Sequence, residues 1–247
     1  MAVAVCILAA GRGSRLSGDA PKWFTRAGGR TIADWQLDGL RRAAGRWERL
    51  LVVTGFRQEL FDPGVLGCEL VPNAEWATRN NWHSLALALE RLGAEGWSGS
   101  VVVLNSDLLI GPRVVERFLD AAAAGERSLL AVDAEAPPGD EQMKVAVADG
   151  RVVDIGKGAL AAPAAGEYVG LASLHAHDVP ALEAILAGFA EDPARADEWY
   201  EAAFREAMRG GVEFGVFPVE PGWWVEIDDD ADLERAQGIA ALLAEER

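Results

Sequence analysis

The sequence is short of cysteine and shorter still, for its size, of lysine. Two cysteines, Cys6 and Cys68, in 247 residues cannot staple a secreted domain, so a reducing, cytoplasmic setting is expected. No apolar run reaches the length of a membrane span, and the opening run has no basic leader. This predicts neither a membrane anchor nor a secretion signal. No segment repeats. His83, His175 and His177 lack the spacing of a metal cluster and read as structural. Positive charge is scarce overall: 23 Lys and Arg face 39 Asp and Glu, a formal net charge of −16, which argues against a nucleic-acid partner. Only three of those cations are lysine, Lys22, Lys144 and Lys157. Where arginine is the default, a retained lysine suits a site that wants a compact ammonium beside one phosphate oxygen.

What is present is half hydrophobic, enough for one α/β domain spanning residues 1–247 with a large core. The charge is uneven. Through Arg57, ten Arg and Lys stand against four Asp and Glu; after it, thirteen stand against thirty-five. An anionic ligand is therefore expected at the front of the chain. Residues 3–8 form an apolar, β-branched run that reads as a buried strand, and Leu8, Ala9, Ala10, Gly11, Arg12, Gly13, Ser14 and Arg15 follow it towards Lys22. Small residues admit a ligand close to the backbone, and three cations share the loop. In outline this is a polyphosphate cradle. It is neither of two common ones. The P-loop pattern has no sequel to Gly11 and Gly13. The dinucleotide fingerprint fails at Leu16, and its acid is missing because the next strand ends in Thr54-Gly55.

Further along, residues 31–44 read as a helix capped by Thr31 with Asp34, Arg49–Thr54 and 67–71 as strands, 84–92 as a helix and 100–104 as a strand. Alternating strands and helices predict a Rossmann-like sheet, mixed but mainly parallel, with helices on both faces. Ligands of such sheets sit off the carboxyl ends of the strands, where the Gly11 loop and Asn105-Ser106-Asp107 both fall. After a helix over Pro112–Ala124, the runs Ser128–Asp133, 143–147, 151–155 and 168–175 read as strands, with Asp149-Gly150 as a hairpin turn. They predict a small antiparallel extension on the acceptor side. Pro137-Pro138-Gly139 and 158–166 read as loops. Helices over 179–188 and 197–208, strands over 211–218 and 223–227, and a closing helix over 232–245 complete the chain.

Two acids at strand ends, Asp107 and Asp228, could hold a divalent cation while leaving positions to water and phosphate. At the second position the residues alone leave a choice, because Asp229, Asp230 and Asp232 adjoin it and helix starts attract acids. Asp230 and Asp232 read as caps or first-turn acids, and Asp228 as the ligand.

The stretch from Leu8 to Leu16 followed by Pro21-Lys22 reads L-A-A-G-x-G-x-R-L…P-K. Further segments are Asn80-Asn81-Trp82-His83-Ser84-Leu85, Met143-Lys144-Val145, Ile155-Gly156-Lys157, Glu167-Tyr168-Val169-Gly170 and Glu226-Ile227-Asp228 with Asp232-Leu233. Together they resemble the phosphocholine and phosphonate cytidylyltransferase branch of the sugar-phosphate nucleotidyltransferases, over nearly the whole chain. The resemblance implies that Leu8 to Gly13 meet cytosine and ribose through the backbone, with Ser14 beside them in the nucleotide-binding loop, and that Asn80, Asn81 and Ser84 read the base. It implies that Arg15 and Lys22 hold the triphosphate of CTP, and that Asp107 and Asp228 bind Mg²⁺. Lys144, Lys157 and Glu226 would lie by a small anionic phosphoryl or phosphonyl acceptor. The protein would be a monomer or homodimer. Trp76, Ser106 and Asp229 depart from the pattern where tyrosine, glycine and threonine are usual, which leaves the acceptor open. The late aromatics Trp199, Tyr200, Trp223 and Trp224 could form a cation cage or simply pack. A sugar-1-phosphate nucleotidyltransferase using UTP, dTTP or GTP shares the front motif. A metal-dependent glycosyltransferase and a non-catalytic nucleotide-binding module are the more distant alternatives.

Overall fold

The computed structural model describes residues 1–13, 19–135, 139 and 141–245. Its centre is β1 (Val3–Ala9), which runs between β4 (Arg49–Thr54) and β6 (Ser100–Asn105), parallel to both. Val3, Val5, Ile7 and Ala9 enter the core on one face, and Ala4, Cys6, Leu8 and Ala10 the core on the other. A strand covered on both sides needs an unbroken apolar run, which is why the front of the chain has one. The one-turn helix α2 (Pro63–Leu66) leads into β5 (Glu69–Pro72), which extends the parallel part beyond β4.

On the other edge of β6 the direction changes. β11 (Ala164–Leu174) pairs antiparallel with it, followed by β8 (Ser128–Asp133), β12 (Phe214–Pro218), β10 (Arg151–Gly156) and β9 (Lys144–Ala148). The expected extension is therefore continuous with the parallel strands in one nine-stranded sheet, and within it β12 runs parallel to β8. Asp149-Gly150 turns β9 into β10, as its dipeptide predicts. Helices α1 (Ile32–Arg42), α4 (Pro112–Ala124) and α7 (Asp230–Glu245) cover one face; α3 (Asn81–Ala94), α5 (Val179–Glu191) and α6 (Tyr200–Arg209) cover the other. The Thr31 cap forms with Asp34 in a reciprocal box. Among the described residues no helix is long and apolar enough to cross a membrane.

The structure corrects the expected elements at several points. Helix α3 starts at Asn81 rather than at residue 84, because the Asn80 side chain accepts the Asn81 N–H and opens the helix earlier. Residues 164–166, expected in a loop, begin β11 and pair with β9. Pro137 and Pro138 of the other expected loop lie outside the described residues. Two short ribbons have no counterpart in the sequence reading: β2 (Arg26–Ala27) with β3 (Arg30–Thr31), and β7 (Leu108–Ile110) with β13 (Trp224–Glu226). β7 is three apolar residues long, too short to show a period.

Candidate active site

The β7–β13 ribbon makes the site. Its register sets Glu226 opposite Leu108, and the Ile227 N–H donates to the Asp107 carbonyl at 2.9 Å. Two acids far apart in sequence are thus fixed at neighbouring strand ends. Carboxylate oxygens of Asp107, Glu226 and Asp228 all lie within 4.8 Å of one another. The neighbouring aspartates differ in capping. Asp229 Oδ1 accepts the N–H groups of Ala231 and Asp232, while Asp232 Oδ2 accepts those of Asp228 and Asp229. This is a capping box on α7. The cap is Asp229, with Asp230 and Asp232 in the first turn, and Asp228 is turned towards Asp107.

Lys22 sits in this cluster, its Nζ 2.5 Å from Asp228 Oδ1 and 3.3 Å from Asp107 Oδ2. Burial acts to lower its pKa, but the two carboxylates outweigh it and hold the ammonium above its ordinary value. Gly13 makes room for it. With φ at +65°, a Cβ there would lie 2.3 Å from Lys22 Cγ. Behind the pair, the buried Gln36 accepts from Trp23 Nε1 at 2.9 Å and donates to the carbonyls of Asn105 and Leu108, both at 2.8 Å. One side chain therefore ties the turn bearing Lys22 to the turn bearing Asp107.

Three carboxylates with one ammonium leave uncompensated negative charge. Asp107 Oδ1 is buried with no hydrogen-bond partner among the described residues. Glu226 is partly open to the cavity, yet enclosure by protein, and then repulsion from Asp107 and Asp228, push its pKa up to about 8. Such an all-oxygen donor set, short of positive charge, fits a hard divalent cation.

The cluster opens onto a cavity of about 300 Å³, whose wall includes Leu8, Gly11, Gly13, Asn80, Asn81, Lys157, Tyr168, Trp199 and Glu201. A second cavity of about 290 Å³ shares Leu8, Gly11, Asn80 and Asn81 with it and adds Ala10, Asn73, Trp76 and Ser84. Several expected positions fall elsewhere. Ala9 turns into the core. Arg12 stacks 5.4 Å over the Phe56 ring. Lys144 begins β9, and Met143 rather than Lys144 faces the cavity. Ser14 and Arg15 lie outside the described residues. Asn80 donates to the Asp197 carbonyl and Asn81 Oδ1 accepts the Tyr200 N–H, so both asparagines also join α3 to the α6 segment. Ser84 is buried and takes a hydrogen bond from Asn73. Of the expected aromatics, Tyr200 is core, while Trp199 faces the cavity with Lys157 Nζ 4.5 Å over its ring.

The expected positive field is also corrected. Of the described front cations only Lys22 lines either cavity; Arg46 and Arg49 pair with surface acids. Around the main cavity Asp107, Glu141, Glu201, Glu226 and Asp228 face Lys22 and Lys157. Glu201, which the sequence reading missed, opens α6. Burial pushes its pKa up to about 7. Its only signal in the sequence is its place after the Trp199-Tyr200 pair. Tyr200 donates to Asn105 Oδ1 at 2.9 Å and lies 3.0 Å from the Tyr168 hydroxyl, a buried chain that binds α6 to the end of β6.

The sheet and its loaded strand ends are those of a nucleotidyltransferase. Residues 5–188 match the MobA-like NTP transferase domain, and the chain belongs to that family. It is 33% identical over 122 residues to the bifunctional protein GlmU of Cyanothece sp., a match covering 48% of this chain and 26% of that protein. The chain thus spans about a quarter of that relative's length. Its fold is similar to that of CTP:phosphocholine cytidylyltransferase from Streptococcus pneumoniae, with a TM-score of 0.75 at 21% identity, over 96% of this chain and 98% of that one. It is also similar to the inositol-1-phosphate CTP transferase from T. maritima, with a TM-score of 0.72 at 22% identity, over 98% and 96% of the two chains.

Proposed function

We propose that the protein is a cytidylyltransferase that moves CMP from CTP to a phosphoryl oxygen of a small phosphonate or phospho-alcohol and releases pyrophosphate. The observation that carries this reading is the Asp107–Glu226–Asp228 cluster with Lys22 inside it, at the edge where the two cavities meet. A nucleotide lying across that edge would put its base by Asn80, Asn81 and Ser84 and its phosphates by Lys22. The acceptor oxygen would form a bond to the α-phosphorus as the bond to pyrophosphate breaks. A phosphate monoester has its second pKa near 6 and is largely dianionic at neutral pH. It needs no general base, and the barrier is the approach of two anions. Lys22 supplies one compensating charge at fixed geometry, and Gln36 keeps it from drifting away from Asp107. Asp107, Asp228 and Glu226 would hold Mg²⁺, whose chemistry when bound is to neutralise and align phosphoryl oxygens.

The fold similarity to CTP-using proteins named for phosphocholine and inositol-1-phosphate supports this nucleotide and acceptor class. Fold similarity to UDP-glucose pyrophosphorylase supports the sugar-1-phosphate alternative. The test is pyrophosphate release with CTP, UTP, dTTP and GTP, each offered with 2-aminoethylphosphonate, phosphocholine and glucose-1-phosphate. Release confined to CTP and the non-sugar acceptors is expected. Release with UTP or dTTP and glucose-1-phosphate alone overturns the proposal.

A further inference from the structure

We propose that Lys22 is a stand-in cation: its ammonium holds the Asp107–Glu226–Asp228 site while no divalent ion is bound there, and has to leave the carboxylates for one to enter. The inference rests on the metal part of the reading above and is independent of which nucleotide and acceptor are used.

The ammonium occupies ground that an ion would need. Its Nζ lies 2.5 Å from Asp228 Oδ1 and 3.3 Å from Asp107 Oδ2, inside a trio whose carboxylate oxygens lie within 4.8 Å of one another. Mg²⁺ binds oxygen at about 2.0–2.1 Å and keeps several waters around it. An ion sharing Asp228 Oδ1 with the ammonium would sit at most about 4.6 Å from Nζ. At that range, among side chains only 13% to 25% exposed, two positive charges repel with little water between them. The ion's own waters would need the same space. Nor does the ammonium fill the site: Asp107 Oδ1 is buried with no hydrogen-bond partner among the described residues. An acceptor is left over while the lysine is in place.

Lys22 also has the means to leave. Its backbone is fixed, because it opens the 3₁₀ turn Lys22–Phe24 and the neighbouring Trp23 is tied to Gln36. Its stem is not. It crosses Gly13, where a Cβ would fall 2.3 to 2.9 Å from Lys22 Cγ, Cδ and Cε, so no side chain brackets it on that side. A four-carbon stem turns about several bonds. Gly11 and Gly13 line the same cavity as Lys22, and a turn of the stem carries the ammonium away from the acids towards them. Arginine would serve badly here, since its planar fork grips a carboxylate through two parallel bonds. That gives a reason for one of the chain's three lysines to stand at this position. A tethered cation that closes the site weakens the binding of a free ion in proportion to the fraction of molecules in which it is withdrawn.

The experiment uses the full chain without nucleotide and Mn²⁺ as the probe ion, followed by its electron paramagnetic resonance. Lys22→Met keeps the stem and removes the charge. It is expected to bind Mn²⁺ about ten- to a hundredfold more tightly than wild type. A second readout follows the lysine itself in wild type. Acetylation by acetic anhydride, mapped by peptide mass spectrometry, is expected to speed up at Lys22 about threefold or more once Mn²⁺ is bound, with Lys144 on β9 as the internal reference. Equal or weaker binding by a Lys22→Met chain with a normal melting curve overturns the proposal and leaves the metal reading standing. Tighter binding with unchanged labelling also overturns it, because the lysine then repels the ion without moving. If Lys22→Met does not fold, the wild-type labelling decides alone: faster labelling supports the exchange, and unchanged or slower labelling overturns it. If Mn²⁺ binds to neither chain, the proposal falls together with the metal reading, and pyrophosphate release still tests the transfer.

Discussion

The parallel half of the sheet, β5 to β6, buries polar side chains that carry no charge, among them Thr54, Asn73 and Ser84. The antiparallel half and its helices bury carboxylates: Asp133, Asp154, Asp178 and Glu201. Under the proposed function the contrast is that of a neutral nucleoside at the first half and a charged acceptor at the second. A nucleobase and ribose are neutral and can be held by backbone and amide groups at the ends of apolar strands. Asp133, Asp154 and Asp178 take their hydrogen bonds within the protein. Between the halves lies the β7–β13 ribbon, which carries Asp107 and Asp228.

The largest expected effect comes from breaking that seam chemically. Asp228→Asn removes one charged ligand from the cluster while keeping its shape. Steady-state pyrophosphate release should fall by about a thousandfold, the scale of several kcal/mol of lost charge stabilisation. The melting temperature should hold, because the α7 cap resides on Asp229 and Asp232. Turnover near the wild-type value would show that the ribbon is only structural. Next in size is the fastening beneath it. Gln36→Leu strands two buried carbonyls and the Trp23 indole N–H. It should cost about 4 kcal/mol in denaturant unfolding, at the order of 1–3 kcal/mol for each unmade bond. A loss under about 1 kcal/mol would mean that water replaces the glutamine readily.

Much of this contrast was legible before the structure. The parallel half could be read because a strand buried on both faces must be a continuous apolar run, and β1, β4 and β6 are such runs. The capping box at Thr31 and the Asp149-Gly150 turn were also readable, each from a local rule with one answer, whereas the residues alone left a choice between Asp228 and its neighbours. The ribbon was not: three residues of β7 have no period, and only tertiary pairing makes them a strand. Gln36 looked like an ordinary helical residue because its partners, Asn105 and Leu108, are remote in sequence. The electrostatics misled for a related reason. Counting charges along the chain gave a basic front, but Arg30, Arg46, Arg49 and Arg57 turn to acids outside the cavity, while distant carboxylates converge on it. Glu201 shares that cause, since its burial is a property of packing rather than of spacing.

Glu201 also sharpens the comparison through pH. Its carboxyl, raised to about 7 in the folded chain by burial, has an ordinary value near 4.3 when unfolded. The folded state therefore binds more protons between those values. The resulting contribution to stability is full below the unfolded pKa and is lost as pH rises through about 7. Glu201→Gln removes the titration. Against wild type it should gain about 2 to 3 kcal/mol on going from pH 5 to pH 8, read as the widening gap between denaturant midpoints. A gap independent of pH would show that Glu201 is ionised without cost. That would mean its partners within the protein hold the charge as fully as those of Asp154 do.

The smallest effect compares two caps, one in each electrostatic setting. Thr31 and Asp229 make the same reciprocal box, with Asp34 and Asp232 three residues on. Thr31→Ala should cost about 1 kcal/mol, the usual price of a lost N-cap. Asp229→Ala loses equivalent bonds but also removes a negative charge beside Asp228, Asp230 and Asp232. Relief of that repulsion should offset part of the loss, leaving about half the cost of the Thr31 change at low salt. Raising the salt screens the repulsion and should bring the two costs together. Asp229→Asn keeps an oxygen to cap with and drops the charge, so it should be neutral or slightly stabilising. Equal costs for both alanine changes at every salt concentration would mean that the acids around Asp228 do not repel one another appreciably. The charge-short cluster inferred for the seam would then lose its electrostatic basis.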